Sequence, residues 1–83
     1  MAKFLLKLVS LLVSDPSTVS IQETSTPNVT TLDVTVLPTE YGRIIGKNGN
    51  IIRSIRSLLQ LKGLIANKQI VVRLVEPLQN WID

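Results

Sequence analysis

Apolar residues recur along this chain with two periods, and the switches between them delimit its elements. In residues 1–13 (MAKFLLKLVSLLV), Leu5, Leu8, Val9 and Leu12 fall at i, i+3, i+4 and i+7, with Phe4 and Leu11 widening the arc. That spacing predicts an amphipathic helix facing a core, ended by Ser14, Asp15 and Pro16. Residues 18–23 then read as a short strand with Val19 and Ile21 on one face. A loop of turn-forming composition (TSTPN, residues 24–28) follows. The clearest alternation is in residues 29–37, where Leu32, Val34 and Val36 are interleaved with Asp33 and Thr35, and Pro38 stops the strand.

The helical period then returns twice. Thr39 is suited to cap a short helix ending near Ile45, with Glu40 in its first turn. From Asn50 to Lys62, Ile51, Ile52, Ile55, Leu58 and Leu59 keep helical spacing, with Gly63 as the expected C-terminal cap. Residues 69–75 are β-branched, with Ile70, Val72 and Leu74 on one face and Arg73 on the other. The order is α-β-β-α-α-β. It implies an α+β domain of two layers, a three-stranded sheet covered on one face by three helices.

Composition narrows what such a domain can do. At 83 residues the chain is near the lower size limit for a self-sufficient core, and its 45% apolar content supports one. It contains no cysteine and no histidine, so disulfides, zinc ligation and most acid–base catalysis are not expected. The six carboxylates show no catalytic pairing, and neither an enzyme nor a cofactor is expected. The first apolar run resembles a signal peptide, but Lys7 interrupts it and no small-residue cleavage site follows. It also falls short of the roughly 20 residues that span a bilayer, so no membrane association is expected. Charge is divided unequally. Residues 1–40 hold two lysines against four carboxylates, a net −2, whereas residues 41–83 hold seven cations against two carboxylates, a net +5. The second half is suited to an anionic partner such as nucleic acid; the alternative is a solvated basic face.

The stretch YGRIIGKNGNIIRSIR, residues 41–56, carries the candidate chemistry. A P-loop requires four residues between its glycines and a hydroxyl after the lysine. Here Gly42 and Gly46 enclose three, and Asn48 follows Lys47, so that reading fails. Asn48-Gly49 is a strong hairpin-turn signal, yet the 3.6-residue period beyond it persists too long for a strand. A corner between two helices remains. Glycine supplies the positive φ or close approach such a corner needs, and the next helix offers uncovered N–H groups to an anion. Lys47 adds a mobile cation there, and Asn48 a hydrogen-bond donor.

The run Ile45-Gly46-Lys47-Asn48-Gly49-Asn50-Ile51-Ile52 resembles the I-G-K-x-G-x-x-I loop of KH domains. The preceding helix and strand make the order similar to the type II arrangement. From FLLKLVSLLV through GRIIGKNGNIIRSIRSLL to IVVRLVE, the chain resembles small bacterial KH proteins of the KhpA type. The resemblance implies one KH domain over 1–83, with a core at 3–76 and a tail at 77–83. It also implies a cytoplasmic protein binding single-stranded RNA through a GxxG loop, with weak sequence preference. The implied contacts are Gly46, Lys47, Asn48 and Gly49 for the backbone, Ile45 and Ile52 as an apolar floor, and Arg43, Arg53 and Arg56 along the groove.

Ile45 and Ile52 have core packing as their alternative role, and the arginines simple solvation. Asn50 stands where the family often has Arg, which removes one phosphate contact, and Tyr41 where an acidic or small polar residue is common. Four phosphate contacts, from Arg43, Lys47, Arg53 and Arg56, would give a salt slope of about −2.8. A second reading keeps the fold but makes the chain chiefly an interaction module, forming a homodimer or a heterodimer with a larger KH protein of the KhpB type. Trp81 and the scant basic charge outside the loop motivate it; Trp81 with Ile82 in the tail is a candidate cover for the sheet or a partner contact.

Overall fold

A computed structural model describes residues 1–75. The elements are α1 (Ala2–Ser10), β1 (Ser20–Ser25), β2 (Val29–Thr35), α2 (Tyr41–Ile45), α3 (Asn50–Ile65) and β3 (Gln69–Leu74). This is the anticipated α-β-β-α-α-β order. β2 lies centrally, antiparallel to β1 and parallel to β3. The parallel pairing requires a crossover, and α2 with α3 supplies it on one face of the sheet.

Alternation along β2 decides which face that is. Thr30, Leu32 and Val34 are buried, and their inner face receives Leu5 and Val9 of α1, Ile44 of α2, and Ile52, Ile55 and Leu59 of α3. Leu5, Leu32, Ile44 and Leu59 are wholly buried. Each such side chain stabilises the fold by about 1.5–3 kcal/mol relative to exposure. Thr30 is tolerated in this layer because its hydroxyl lies 2.9 Å from the Ser25 hydroxyl across the hairpin.

The structure departs from the sequence expectations at several element ends. α1 stops at Ser10, where the Leu11 and Leu12 N–H groups bond back to Leu8 and Val9. Leu11 therefore leaves the apolar arc and is 83% exposed. β1 begins two residues later than expected because Pro16–Thr18 forms a tight turn, with the Asp15 carboxylate accepting from the Ser17 N–H at 3.1 Å. These bonds hold the Asp15 carboxyl below its ordinary range.

Thr39 caps nothing. It sits in a second tight turn, Pro38–Glu40, and α2 starts after Glu40. Gly63 is likewise not a cap. It lies inside α3, where an added Cβ would come 2.5 Å from the Lys68 carbonyl oxygen and 2.7 Å from Ile70 Cγ1. Its missing side chain lets β3 enter against the helix, and the left-handed residue of that turn is Asn67, φ 59°. Trp81, Ile82 and the rest of the tail lie outside the described residues.

Candidate nucleic-acid interface

The corner between α2 and α3 is built from backbone. Gly46 ends α2 with φ 76°, donating its N–H to the Gly42 carbonyl at 2.9 Å. Lys47–Gly49 makes one 3-10 turn closed by the Gly49 N–H on the Gly46 carbonyl, and then α3 begins. Asn48 and Gly49 both have positive φ, 57° and 74°. Asparagine tolerates that region better than most residues. Gly46 has a second reason to lack a side chain, since a Cβ there would lie 2.5 Å from Ile51 Cγ1. Sequence reasoning located this corner correctly.

Lys47 and Asn48 project from the corner as exposed side chains, and Gly46 and Gly49 are partly covered. Beside them Ile45 is half-buried, while Ile52 is 8% exposed and mostly core. Among the described residues, neither Lys47, Arg53 nor Arg56 has a carboxylate within ion-pair distance. Their charges are therefore available to an outside anion.

The three arginines diverge. Arg56 lies on the β3 side of α3, its Nε donating to the Val72 carbonyl at 3.1 Å. Arg53 is held at the start of α3 by the Asn50 side-chain oxygen. Asn50 thus has a role sequence reasoning did not assign it. Arg43 turns the other way, donating to Ser14 Oγ at 3.0 Å and lying 3.6 Å from Glu40 Oε2. Glu40, buried beneath, also accepts the Ser14 N–H at 3.2 Å. Arg43 is therefore tied to the α1–β1 connection and partly neutralised, apart from the other cations.

The Arg56–Val72 contact marks a groove between α3 and β3; sequence reasoning expected a groove beside the corner but not the strand that walls it. Among the described residues β3 is an edge strand, and the Gln69 and Val75 N–H groups turn inward, to Asn28 and Val34. The alternate residues Ile70, Val72 and Leu74 consequently direct their backbone groups to the open edge. α3 runs above that edge, so a channel bounded by one helix and one strand leads away from the glycine corner. No sequence signal could have shown a guanidinium bonded to a strand carbonyl. The free edge itself follows from the strand order.

Known proteins share this arrangement. A family profile described as KhpA/KhpB, KH domain matches residues 2–74. A Listeria monocytogenes protein named RNA-binding protein KhpA is 33% identical over 92% of this chain and all of its own length. A Clostridium acetobutylicum protein of the same name is 29% identical over 90% of this chain and all of its own. One from Chlamydia trachomatis is 39% identical over 71% of this chain and 76% of its own. The crystal structure of an Aquifex aeolicus Era variant bound to GDP and aluminium fluoride superposes with a TM-score of 0.59 at 17% identity. That match covers 90% of this chain and 30% of the Era chain, a likeness of fold alone. With the glycine corner, the parallel edge strand and the element order all in place, the chain belongs to the KhpA/KhpB family of KH domains.

Proposed function

We propose that this protein binds single-stranded RNA, with the corner at residues 46–49 against the phosphate backbone and the bases in the channel between α3 and β3. The observation that carries this reading is the corner itself. Two positive-φ glycines bring backbone close to the surface at the start of a 16-residue helix, and Lys47 stands beside it with no carboxylate partner among the described residues. Phosphate is the ligand such a helix start favours. KH modules clamp four nucleotides of backbone at a loop of this type.

Ile45 and the exposed fraction of Ile52 supply an apolar floor, and the open edge of β3 offers N–H and C=O groups to base edges. Backbone groups and isoleucines discriminate weakly among bases, which fits low sequence preference. The relatives named RNA-binding protein KhpA support the same reading. Changing Lys47 and Asn48 together to Asp places two carboxylates at the corner without touching the core. Titration of a fluorescent oligouridylate should then show binding lost while the circular dichroism spectrum is retained. Unchanged affinity would refute the assignment.

A second reading has its own observation. Leu58, Leu61 and Ile65 form an exposed apolar stripe at i, i+3 and i+7 on α3, facing away from β3. It suits contact with another KH chain, either a second copy or a larger KhpB-type protein. Size-exclusion chromatography with light scattering tests this, since a chain that stays monomeric at all concentrations and with such a partner has no use for the stripe.

A further inference from the structure

The channel between α3 and β3 does not stop at Arg56. Gln60 lies one turn further along α3 on the same side, and Leu64 one turn beyond that. Below them the α3–β3 turn folds back, the Lys68 N–H bonding to the Gly63 carbonyl at 2.8 Å and the Asn67 N–H to the Leu64 carbonyl at 3.3 Å. The result is a cavity of about 470 Å³ lined by Gln60, Leu64, Asn67, Lys68, Gln69 and Ile70. Its volume is within the range of small-ligand pockets. Gly63 makes it possible, because any side chain there would collide with the Lys68 carbonyl and Ile70.

We infer that this cavity is an additional nucleobase subsite, taking one base of the same RNA strand beyond the four nucleotides held near the corner. The inference rests on the RNA-binding reading and extends it. Continuity is the first ground: the cavity lies between the same helix and the same strand as the channel. Leu64 is about 21 Å along α3 from Asn50, at 1.5 Å per residue, so it is a separate place from the corner.

Chemistry is the second ground. A base has an apolar face and edges that both donate and accept. Here Leu64 and Ile70 provide apolar walls, while the amides of Gln60, Asn67 and Gln69 each carry a donor and an acceptor. Side-chain amides match the paired N6 donor and N7 acceptor of adenine. Lys68, the one charged lining residue, carries its Nζ across the sheet to the Ser25 hydroxyl of β1 at 3.1 Å, so the cavity itself is lined by neutral polar and apolar groups. Three amides between two apolar walls suit a nucleobase better than an apolar protein side chain.

The test compares a tetranucleotide with an octanucleotide carrying adenines at both ends, against the wild-type chain and a Gln60→Ala/Leu64→Ser variant. Both altered residues are exposed on α3, so the core is untouched. The variant should bind the tetranucleotide as wild type does and the octanucleotide about 5-fold more weakly, the low end for losing one stacked base. Comparing proteins at each length removes the statistical advantage of a longer strand. In NMR titrations the tetranucleotide should shift Lys47, Asn48 and the channel as far as Arg56, and only the octanucleotide should also shift the side-chain amides of Gln60, Asn67 and Gln69.

Equal affinities at both lengths, with Lys47 and Asn48 still shifting, would overturn the subsite and leave the RNA reading standing. No shift at Lys47 or Asn48 with either strand would overturn both. Shifts at the cavity amides that follow protein concentration and ignore RNA would assign the cavity to a protein partner and also overturn the proposal.

Discussion

Two glycines at the corner share a positive φ but neither a ψ nor an environment: Gly49 is left-handed helical with ψ 15°, whereas Gly46, with ψ 178°, is in a region essentially restricted to glycine. Both have positive φ, yet a Cβ at Gly46 would strike Ile51, whereas a Cβ at Gly49 meets nothing within 4 Å. Gly49→Ala should therefore cost only the left-handed penalty of about 1–2 kcal/mol. Gly46→Ala would force a side chain into that glycine-only region and against Ile51, and should cost about 2–4 kcal/mol. Urea denaturation of the two variants checks the order, and equal losses would contradict the geometry. The arginines divide in the same local way. Arg56→Ala should reduce the magnitude of the salt slope for RNA binding by about 0.7, one phosphate contact on a single strand. Arg43→Ala should leave the slope unchanged, because Glu40 and Ser14 already hold that side chain away from the corner. The total slope then comes to about −2.1, from Lys47, Arg53 and Arg56, instead of −2.8. These distinctions were invisible in the sequence. Arg43, Arg53 and Arg56 look alike there, and what separates them is a buried glutamate, an asparagine three residues back and a strand carbonyl.

At the scale of elements, the sheet carries a device that its alternation half disclosed. Arg73 was legible as an outward residue of β3, but its partner depends on register, and register follows from the crossover. Asp33 of β2 pairs with Arg73 in the parallel ladder, and the guanidinium grips the carboxylate twice, Nε to Oδ1 at 2.7 Å and Nη2 to Oδ2 at 3.0 Å. The hydrogen bonds from Arg73 hold the Asp33 carboxyl below the ordinary aspartate range. A folded-state value lowered in this way stabilises the fold at neutral pH. The contribution is whole above the ordinary aspartate range and is lost as pH falls through the folded value. Asp33→Asn should therefore lower the melting temperature at pH 7, and its difference from wild type should vanish in strong acid. A difference independent of pH would mean the pair acts through packing. Element types and order were readable because each has a sustained period. Element ends were less so, because Gly63 and Thr39 matched local capping patterns while tertiary contacts decided their roles. Gly63 serves the approach of β3, and Thr39 belongs to a turn that precedes α2.

The whole molecule depends on α3 presenting three stripes to three surroundings. Ile52, Ile55, Leu59 and Gly63 face the core, while Arg56 borders the channel on the β3 side and Gln60 and Leu64 line the cavity beyond its end. Leu58, Leu61 and Ile65 are exposed on the far side. A 16-residue helix makes more than four turns, enough to keep such stripes distinct at 100° per residue. A strand lying in the channel and a protein on the outer stripe would thus occupy different sides of one rigid element. The two proposed activities should be separable by mutation. Leu61→Glu, at a residue already 58% exposed, should abolish any self-association seen by light scattering and leave tetranucleotide affinity within about twofold of wild type. The double Asp variant at Lys47 and Asn48 should do the reverse. Were Leu61→Glu to weaken RNA binding as strongly as the corner variant, the groove would have to be completed by a second chain. The binding unit would then be a pair of chains.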